Sequence, residues 1–171
     1  MFLAILLLFG LLYLNKYCEN LQDTALVPPL DQKALLLTRI LTFLTFGQIL
    51  MGTQVRQQVD HLMRDTLEAV PETVISKLGG MFYFHRTFSI LILGFFLYLL
   101  SHLMKDRYNR SAVFLTMLAF LSAMGNVITG ITLNYFDFPA NAQPPHLFFG
   151  VTTIGLLYSS SLNLRGSLLE D

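Results

Sequence analysis

Apolar residues in this chain are concentrated in long stretches that are separated by shorter polar segments. A transmembrane helix needs about 20 predominantly apolar residues to cross the hydrocarbon core of a bilayer. Four stretches approach or meet that length, at residues 34–52, 81–103, 113–135 and 145–164. The pattern therefore predicts an all-α integral membrane protein, with a four-helix transmembrane bundle at residues 34–164.

A fifth apolar stretch, residues 2–14, lies at the start of the chain. No basic residue precedes Lys16, so the stretch lacks the basic region with which a signal peptide begins. We interpret residues 1–15 as a partial transmembrane helix. On this interpretation the chain begins within a larger membrane protein.

The composition agrees with a membrane protein and excludes several other classes. Hydrophobic residues make up 54% of the 171 residues and charged residues 13%, whereas globular proteins contain roughly 25% charged residues. Lys and Arg balance Asp and Glu at 11 each, so no net charge attracts the chain to nucleic acid. Cys18 is the single cysteine, which rules out a disulfide within the chain.

Basic residues near the ends of the predicted spans indicate the orientation of the bundle. Seven of them lie on one side of the membrane: Lys16, Lys33, Arg39, Lys105, Arg107, Arg110 and Arg165. Four lie on the other side: Arg56, Arg64, Lys77 and Arg86. Because basic residues favour the cytoplasmic side, we assign residues 53–80 to an external loop. Apolar residues at helical spacing within 57–78 predict an amphipathic helix in part of this loop, either as a lid on the bundle or as a substrate-binding element.

Two of the predicted spans share the motif G-[QN]-[IV]-[LI]-x-G, at residues 47–52 and 125–130. The span that follows each motif begins with a histidine, His85 or His146, and a glycine comes nine residues later, Gly94 or Gly155. This order predicts a duplicated helical hairpin and a bundle with pseudo-twofold symmetry. Glycine permits close approach of either a neighbouring helix or a flat cofactor, and the motif alone does not separate these two uses. On the cofactor alternative, Gly94 and Gly155 are candidate cofactor-binding residues.

The chain contains four histidines, and their predicted depths differ. His85 and His146 lie at similar depth near the external ends of their spans, whereas His102 lies about 25 Å further along its helix. His61 falls in the predicted external loop. Ionisable residues inside membranes are costly and usually functional, so His85 and His146 are candidate axial ligands on opposite faces of one haem iron. A second haem would need a histidine partner for His102, and the sequence offers none.

Neighbouring residues fit the same hypothesis. Phe88 and Phe149 would help to wall a porphyrin, together with Phe82, Phe84 and Phe148. Arg56 and Arg86 lie at the predicted membrane boundary, where they would pair with the haem propionates.

Three segments together resemble the haem A synthase family, whose members are needed to mature haem-copper terminal oxidases. The segments are residues 47–56 (GQILMGTQVR), 84–88 (FHRTF) and 138–146 (FPANAQPPH), and the resemblance extends over about residues 35–157. It implies an integral protein of a bacterial-type cell membrane or the inner mitochondrial membrane, with its haem site near the external face. It also implies membrane lipid and proteins of the haem O and haem A pathway as partners.

The family usually has eight spans in two similar halves. The first half is thought to oxidise a ring methyl group of haem O to the formyl group of haem A, and the second half holds a haem b. By resemblance, this chain matches the second, carboxyl-terminal half, and His85 and His146 would be its haem b ligands. The missing first half, or a homo-oligomer, would then complete the protein.

The sequence departs from the pattern of the reacting half at two points. That half carries a glutamate three residues before its first histidine, whereas this chain has Phe82 there and no carboxylate between Met81 and His85. It also often carries an external cysteine pair, which is absent here. Three hypotheses follow: a haem A synthase-like protein that binds one haem b, a membrane cytochrome b without synthase activity, and a cofactor-free membrane scaffold.

Overall fold

The structure, a computed structural model, describes the chain in five segments, residues 2–22, 31–65, 78–105, 110–136 and 138–164. All regular secondary structure in these segments is helical. The helices are α1 (Phe2–Gln22), α2 (Gln32–Asp65), α3 (Gly80–Lys105), α4 (Arg110–Tyr135) and α5 (Gln143–Leu164).

The predicted four-helix membrane bundle is confirmed. Helices α2 to α5 are each long and apolar enough to cross a membrane. Each packs against two others, in the cyclic order α2, α3, α4 and α5, so that α3 and α5 occupy diagonal positions. Helix α1 lies outside this ring and packs against α5.

Helix α2 is longer than its apolar stretch. It begins after Asp31, whose Oδ1 accepts a hydrogen bond from the Ala34 N–H (2.9 Å) in the manner of a helix N-cap. The helix continues without a break past Gly52 to Asp65, so residues 53–65 of the predicted loop are helical, and its external location stays a prediction. Residues 53–65 extend the span rather than forming a separate amphipathic helix, and the rest of that predicted helix, up to residue 77, lies outside the described residues.

The start of the chain is also helical for longer than predicted. Helix α1 reaches Gln22, although the apolar stretch ends at Leu14. Its Leu8 and Leu12 approach the backbone of Gly155, and its Phe9 ring stacks on Tyr158 with centroids 4.2 Å apart. These contacts fix α1 on the outer face of α5.

The turn between α4 and α5 carries the one described non-glycine residue with positive φ. Phe138 has a φ of 54°, a left-handed conformation that is usually left to glycine. Its N–H bonds the carbonyl of Leu133 (3.0 Å), and Gln143 Nε2 donates to its carbonyl (3.2 Å). Pro144 and Pro145 then begin α5, where a missing N–H leaves no helical bond unmade.

Buried apolar side chains form two separate clusters. The main core fills the end of the bundle where α2 and α4 begin; it includes Leu41, Phe96, Ala119 and Leu157. The end cluster closes the opposite end of the bundle; it is built from Val55, Val59, Leu78 and Phe82, with Phe138 packed against it. Between the clusters, the interior at the level of the two sequence motifs holds mostly small and polar side chains.

Small residues allow α4 and α5 to pack closely. Thr116 and Ser160 share a buried hydrogen bond of 2.8 Å, and Ser122 Oγ donates to the Phe149 carbonyl (3.0 Å). The Phe149 ring lies directly over Gly125: a methyl group placed there would lie 3.0 Å from two ring atoms. Small side chains at such a contact permit the two backbones to approach, as in other membrane helix pairs.

We expect Gly125→Ala to destabilise the bundle by about 1–3 kcal/mol, because the added methyl group must displace the Phe149 ring. Gly47 is the matched control, since it holds the equivalent motif position and a methyl group there meets no atom within 4 Å. Thermal unfolding in detergent, followed by circular dichroism, should give a lower midpoint for Gly125→Ala alone. Equal midpoints for the two variants would contradict this packing.

Candidate functional site

The two candidate ligands, His85 and His146, lie between the main core and the end cluster. His85 is in the first turns of α3 and His146 is in the first turn of α5, on diagonal helices of the bundle. Both side chains are partly buried, and both lie in the turns that begin their helices. This placement agrees with a similar depth for the two histidines, which stays a prediction.

The protein holds the His146 ring by one nitrogen. Nδ1 lies 2.9 Å from the Asn126 carbonyl oxygen and 3.1 Å from Thr129 Oγ1. Because a carbonyl only accepts hydrogen bonds, Nδ1 carries the proton and donates it. Nε2 then has a free lone pair, which is the state that a metal-ligating imidazole requires.

His85 is held differently. Gln48 Nε2 donates to the backbone carbonyl of His85 (2.8 Å), which ties α2 to α3 at this level. The ring nitrogen Nδ1 is buried and has no hydrogen-bond partner among the described residues. The imidazole is therefore located by packing rather than by a hydrogen bond of its own.

The last glycine of each motif receives the edge of a histidine ring. A methyl group placed on Gly52 would lie 3.1 Å from His85 Cε1, and one placed on Gly130 would lie 3.2 Å from His146 Cε1. Gly52 of α2 thus contacts the His85 ring on α3, and Gly130 of α4 contacts the His146 ring on α5. We call each of these two contacts a glycine seat. The predicted duplication is present at the level of atomic contacts.

The second residue of each motif places an amide group near the histidines. Gln48 Oε1 and Asn126 Oδ1 are both buried without a hydrogen-bond partner, as is Thr45 Oγ1 nearby on α2. Buried acceptors usually have a partner, and each unpaired one costs about 1–3 kcal/mol. Their presence in one layer marks the interior between the two apolar clusters as a polar site.

The predicted aromatic residues Phe88 and Phe149 each lie three residues beyond a histidine, toward the main core. Phe88 packs against that core and stacks on Phe84, with ring centroids 5.5 Å apart. Phe149 covers Gly125 of α4. Both therefore lie close to the histidine layer, whereas Phe148, which was also predicted to wall a cofactor, is 65% exposed.

Arg56 and Arg86 are exposed at the same end of the bundle. Arg56 Nε lies 3.7 Å from Asp60 Oδ2 on the extension of α2, one turn beyond Gly52. The Arg86 guanidinium lies over the Tyr83 ring, 5.9 Å from its centroid. Neither contact buries the positive charge, so both guanidinium groups are accessible from solvent.

Gly94 and Gly155, which were predicted to bind the cofactor, do not face the histidines. Nine residues span two and a half turns of helix, which places each glycine on the opposite side of its helix from the histidine. Gly155 is covered by Leu8 and Leu12 of α1, and Gly94 is exposed with no atom within 4 Å of an added methyl group. The repeated spacing reflects the duplication, and Gly155 serves helix packing.

The other two histidines lie away from this site. His102 Nε2 is 3.3 Å from Asp31 Oδ2, which joins the end of α3 to the cap of α2 at the far end of the bundle. His61 lies on the exposed extension of α2, beside an open groove that Gln54 and Gln57 also line. The groove does not include His85 or His146.

Sequence reasoning identified the two histidines but missed the residues that orient them. Thr129 is the variable position of its motif, so nothing in the motif indicated its contact with His146. The Asn126 contact is made by a backbone carbonyl, which no side-chain pattern reveals. Among the described residues, no three His, Cys, Asp or Glu side chains converge as a metal site.

We expect Gly130→Ala to displace the His146 ring, because its Cε1 has no room for a methyl group at 3.2 Å. The ring would lose its hydrogen bond to the Asn126 carbonyl, and the ¹⁵N resonance of Nδ1 should move away from the value typical of a protonated nitrogen. Gly150→Ala is the control, since its added methyl group makes contacts of ordinary length, 3.7 Å or more. An unchanged His146 resonance in Gly130→Ala would refute the proposed seat.

Comparison with known proteins identifies the family. A family described as cytochrome oxidase assembly protein matches residues 1–158, a region that contains both histidines and both motifs. Neither a curated protein nor a solved structure matches the chain significantly. The resemblance to the haem A synthase family is confirmed. This chain belongs to the COX15-CtaA family of cytochrome oxidase assembly proteins.

Proposed function

We propose that this chain binds one b-type haem between α3 and α5 and supports the oxidation of haem O to haem A during terminal oxidase assembly. The observation that carries the proposal is the His146 imidazole, whose protonated Nδ1 is held by the Asn126 carbonyl at 2.9 Å. That bond leaves Nε2 free as a ligand and fixes the plane of the ring.

The residues around the histidines fit a haem group. His85 approaches the same layer from the diagonal helix α3, and its imidazole would be the second haem ligand. Phe88 and Phe149 supply apolar surface on the side of the main core. Arg56 and Arg86 are exposed at the other side, where cations would pair with propionate groups.

A haem bound by two histidines supplies one-electron transfer, and the surrounding chain determines its potential and its access to water. Here the end cluster, with Phe82 and Phe138, separates the histidine layer from the end of the bundle. The Asn126 carbonyl and Thr129 hold the proton on His146 Nδ1. The glycine seats fix the approach of both rings.

Phe82 favours a supporting role over direct catalysis. It occupies the position of the family's implicated glutamate, and its side chain is buried in the end cluster, where it packs rather than transfers protons. On this view electrons pass through the chain, and another protein of the haem pathway supplies the reacting site. Membrane lipid and other proteins of the haem pathway are the expected partners.

The first test is the absorption spectrum of the purified protein in detergent. We expect a Soret band typical of a low-spin haem with two histidine ligands, and its loss or conversion to a high-spin form in His85→Ala and in His146→Ala. His61→Ala is the control and should leave the spectrum unchanged, because His61 lies outside the site. A colourless wild-type protein would contradict the proposal and leave the cofactor-free scaffold.

The second test separates synthase support from simple electron carriage. Cells that express the chain, with and without a supply of haem O, are extracted and their haems are separated by chromatography. Haem A that depends on both the chain and haem O supports the proposed function. Haem b alone would identify a membrane cytochrome b without synthase activity.

A further inference from the structure

We infer that His85 is the exchangeable one of the two histidine ligands, so that a small neutral ligand such as carbon monoxide binds the iron on the α3 side. The inference deepens the proposed function and rests on its haem. It follows from a difference between two sites that the duplication otherwise makes alike.

His146 is anchored and already oriented. Its Nδ1–H is shared between the Asn126 carbonyl at 2.9 Å and Thr129 Oγ1 at 3.1 Å. The Thr129 hydroxyl is itself within 2.9 Å of the Gly125 carbonyl, which fixes the hydroxyl in place. To dissociate from a metal, the His146 ring must either break a hydrogen bond or move together with Asn126 and Thr129.

His85 has neither contact. Met51 stands at the motif position that corresponds to Thr129, so the hydroxyl group is replaced by a thioether chain. The backbone carbonyl of Gln48 corresponds to that of Asn126, yet His85 Nδ1 is buried without a partner. The hydrogen bond that Gln48 does make reaches the His85 backbone and does not hold a ring nitrogen.

The two rings also present different edges to their glycines. A methyl group on Gly130 would lie 3.6 Å from His146 Nδ1, and Nε2 is not among the atoms within 4 Å. A methyl group on Gly52 would lie 3.7 Å from His85 Nε2 and 3.9 Å from Nδ1. The nitrogen nearer to Gly130 is thus Nδ1 of His146, which the protein holds by hydrogen bonds, whereas the nitrogen nearer to Gly52 is Nε2 of His85.

These differences decide which of the two histidine–iron bonds would open. Residues that hydrogen-bond the far nitrogen of a ligating histidine typically change metal affinity by 10- to 100-fold, because they fix the ring and strengthen the donor nitrogen. His146 has such partners and His85 lacks them. In the exchange, the lone pair of His85 Nε2 leaves the iron and the lone pair of carbon monoxide takes its place, with no electron or proton transferred.

The test is a titration of the reduced wild-type protein with carbon monoxide, followed by the shift of the Soret band. We expect a carbon monoxide complex to form in the wild type. Met51→Thr should give His85 the hydroxyl partner that His146 has, and should weaken carbon monoxide binding on the order of 10-fold. Met51→Val is the matched control, because valine has the shape of threonine without the hydroxyl group, and it should bind as the wild type does.

Each alternative outcome has a distinct meaning. A Soret band that does not respond to carbon monoxide, or equal binding by Met51→Thr and Met51→Val, overturns this inference and leaves the proposed function intact. If Thr129→Val changes carbon monoxide binding and Met51→Thr does not, the exchange takes place at His146, which also overturns this inference. A wild-type protein without a Soret band contradicts the proposed function and this inference together.

Discussion

The bundle depends on the close approach of an imidazole ring to the backbone of the helix that precedes it. Inside a membrane, the position of a polar ring must be set by contacts within the protein, because water is absent from the hydrocarbon core. Only a glycine leaves room for that contact, and Gly52 and Gly130 each have a ring carbon just over 3 Å from where a Cβ would lie. The separation of α2 from α3, and of α4 from α5, follows from these two seats.

The hydrophobic pattern was sufficient to predict the four spans and the class of fold. It did not show where each helix ends, because a helix can continue beyond its apolar stretch. The residues of α2 beyond Gly52 include Gln54, Arg56 and Gln57, which are polar and still compatible with a helix. The same holds for α1 beyond Leu14. A loss of apolar residues was therefore mistaken for a loss of helix.

Features of the candidate site that occur in both hairpins could be predicted from the sequence, whereas those that occur in only one hairpin could not. The paired motifs located both histidines, because a duplication repeats whatever the fold requires at each copy. The spacing to Gly94 and Gly155 was repeated too, yet nine residues turn a helix to its opposite face, so the spacing alone does not place these glycines beside the histidines. The Thr129 contact escaped notice because it exists in one copy alone.

The diagonal arrangement of α3 and α5 has a mechanical consequence. Each histidine is carried by one helix of a hairpin and contacts a motif glycine on the other helix of the same hairpin, so this contact lies within the hairpin. The gap between the two rings belongs to neither hairpin and is set by how α2–α3 docks on α4–α5. Any group that bridged the two rings would therefore link the two hairpins, and a change in how they dock on each other would change the distance that the group must span.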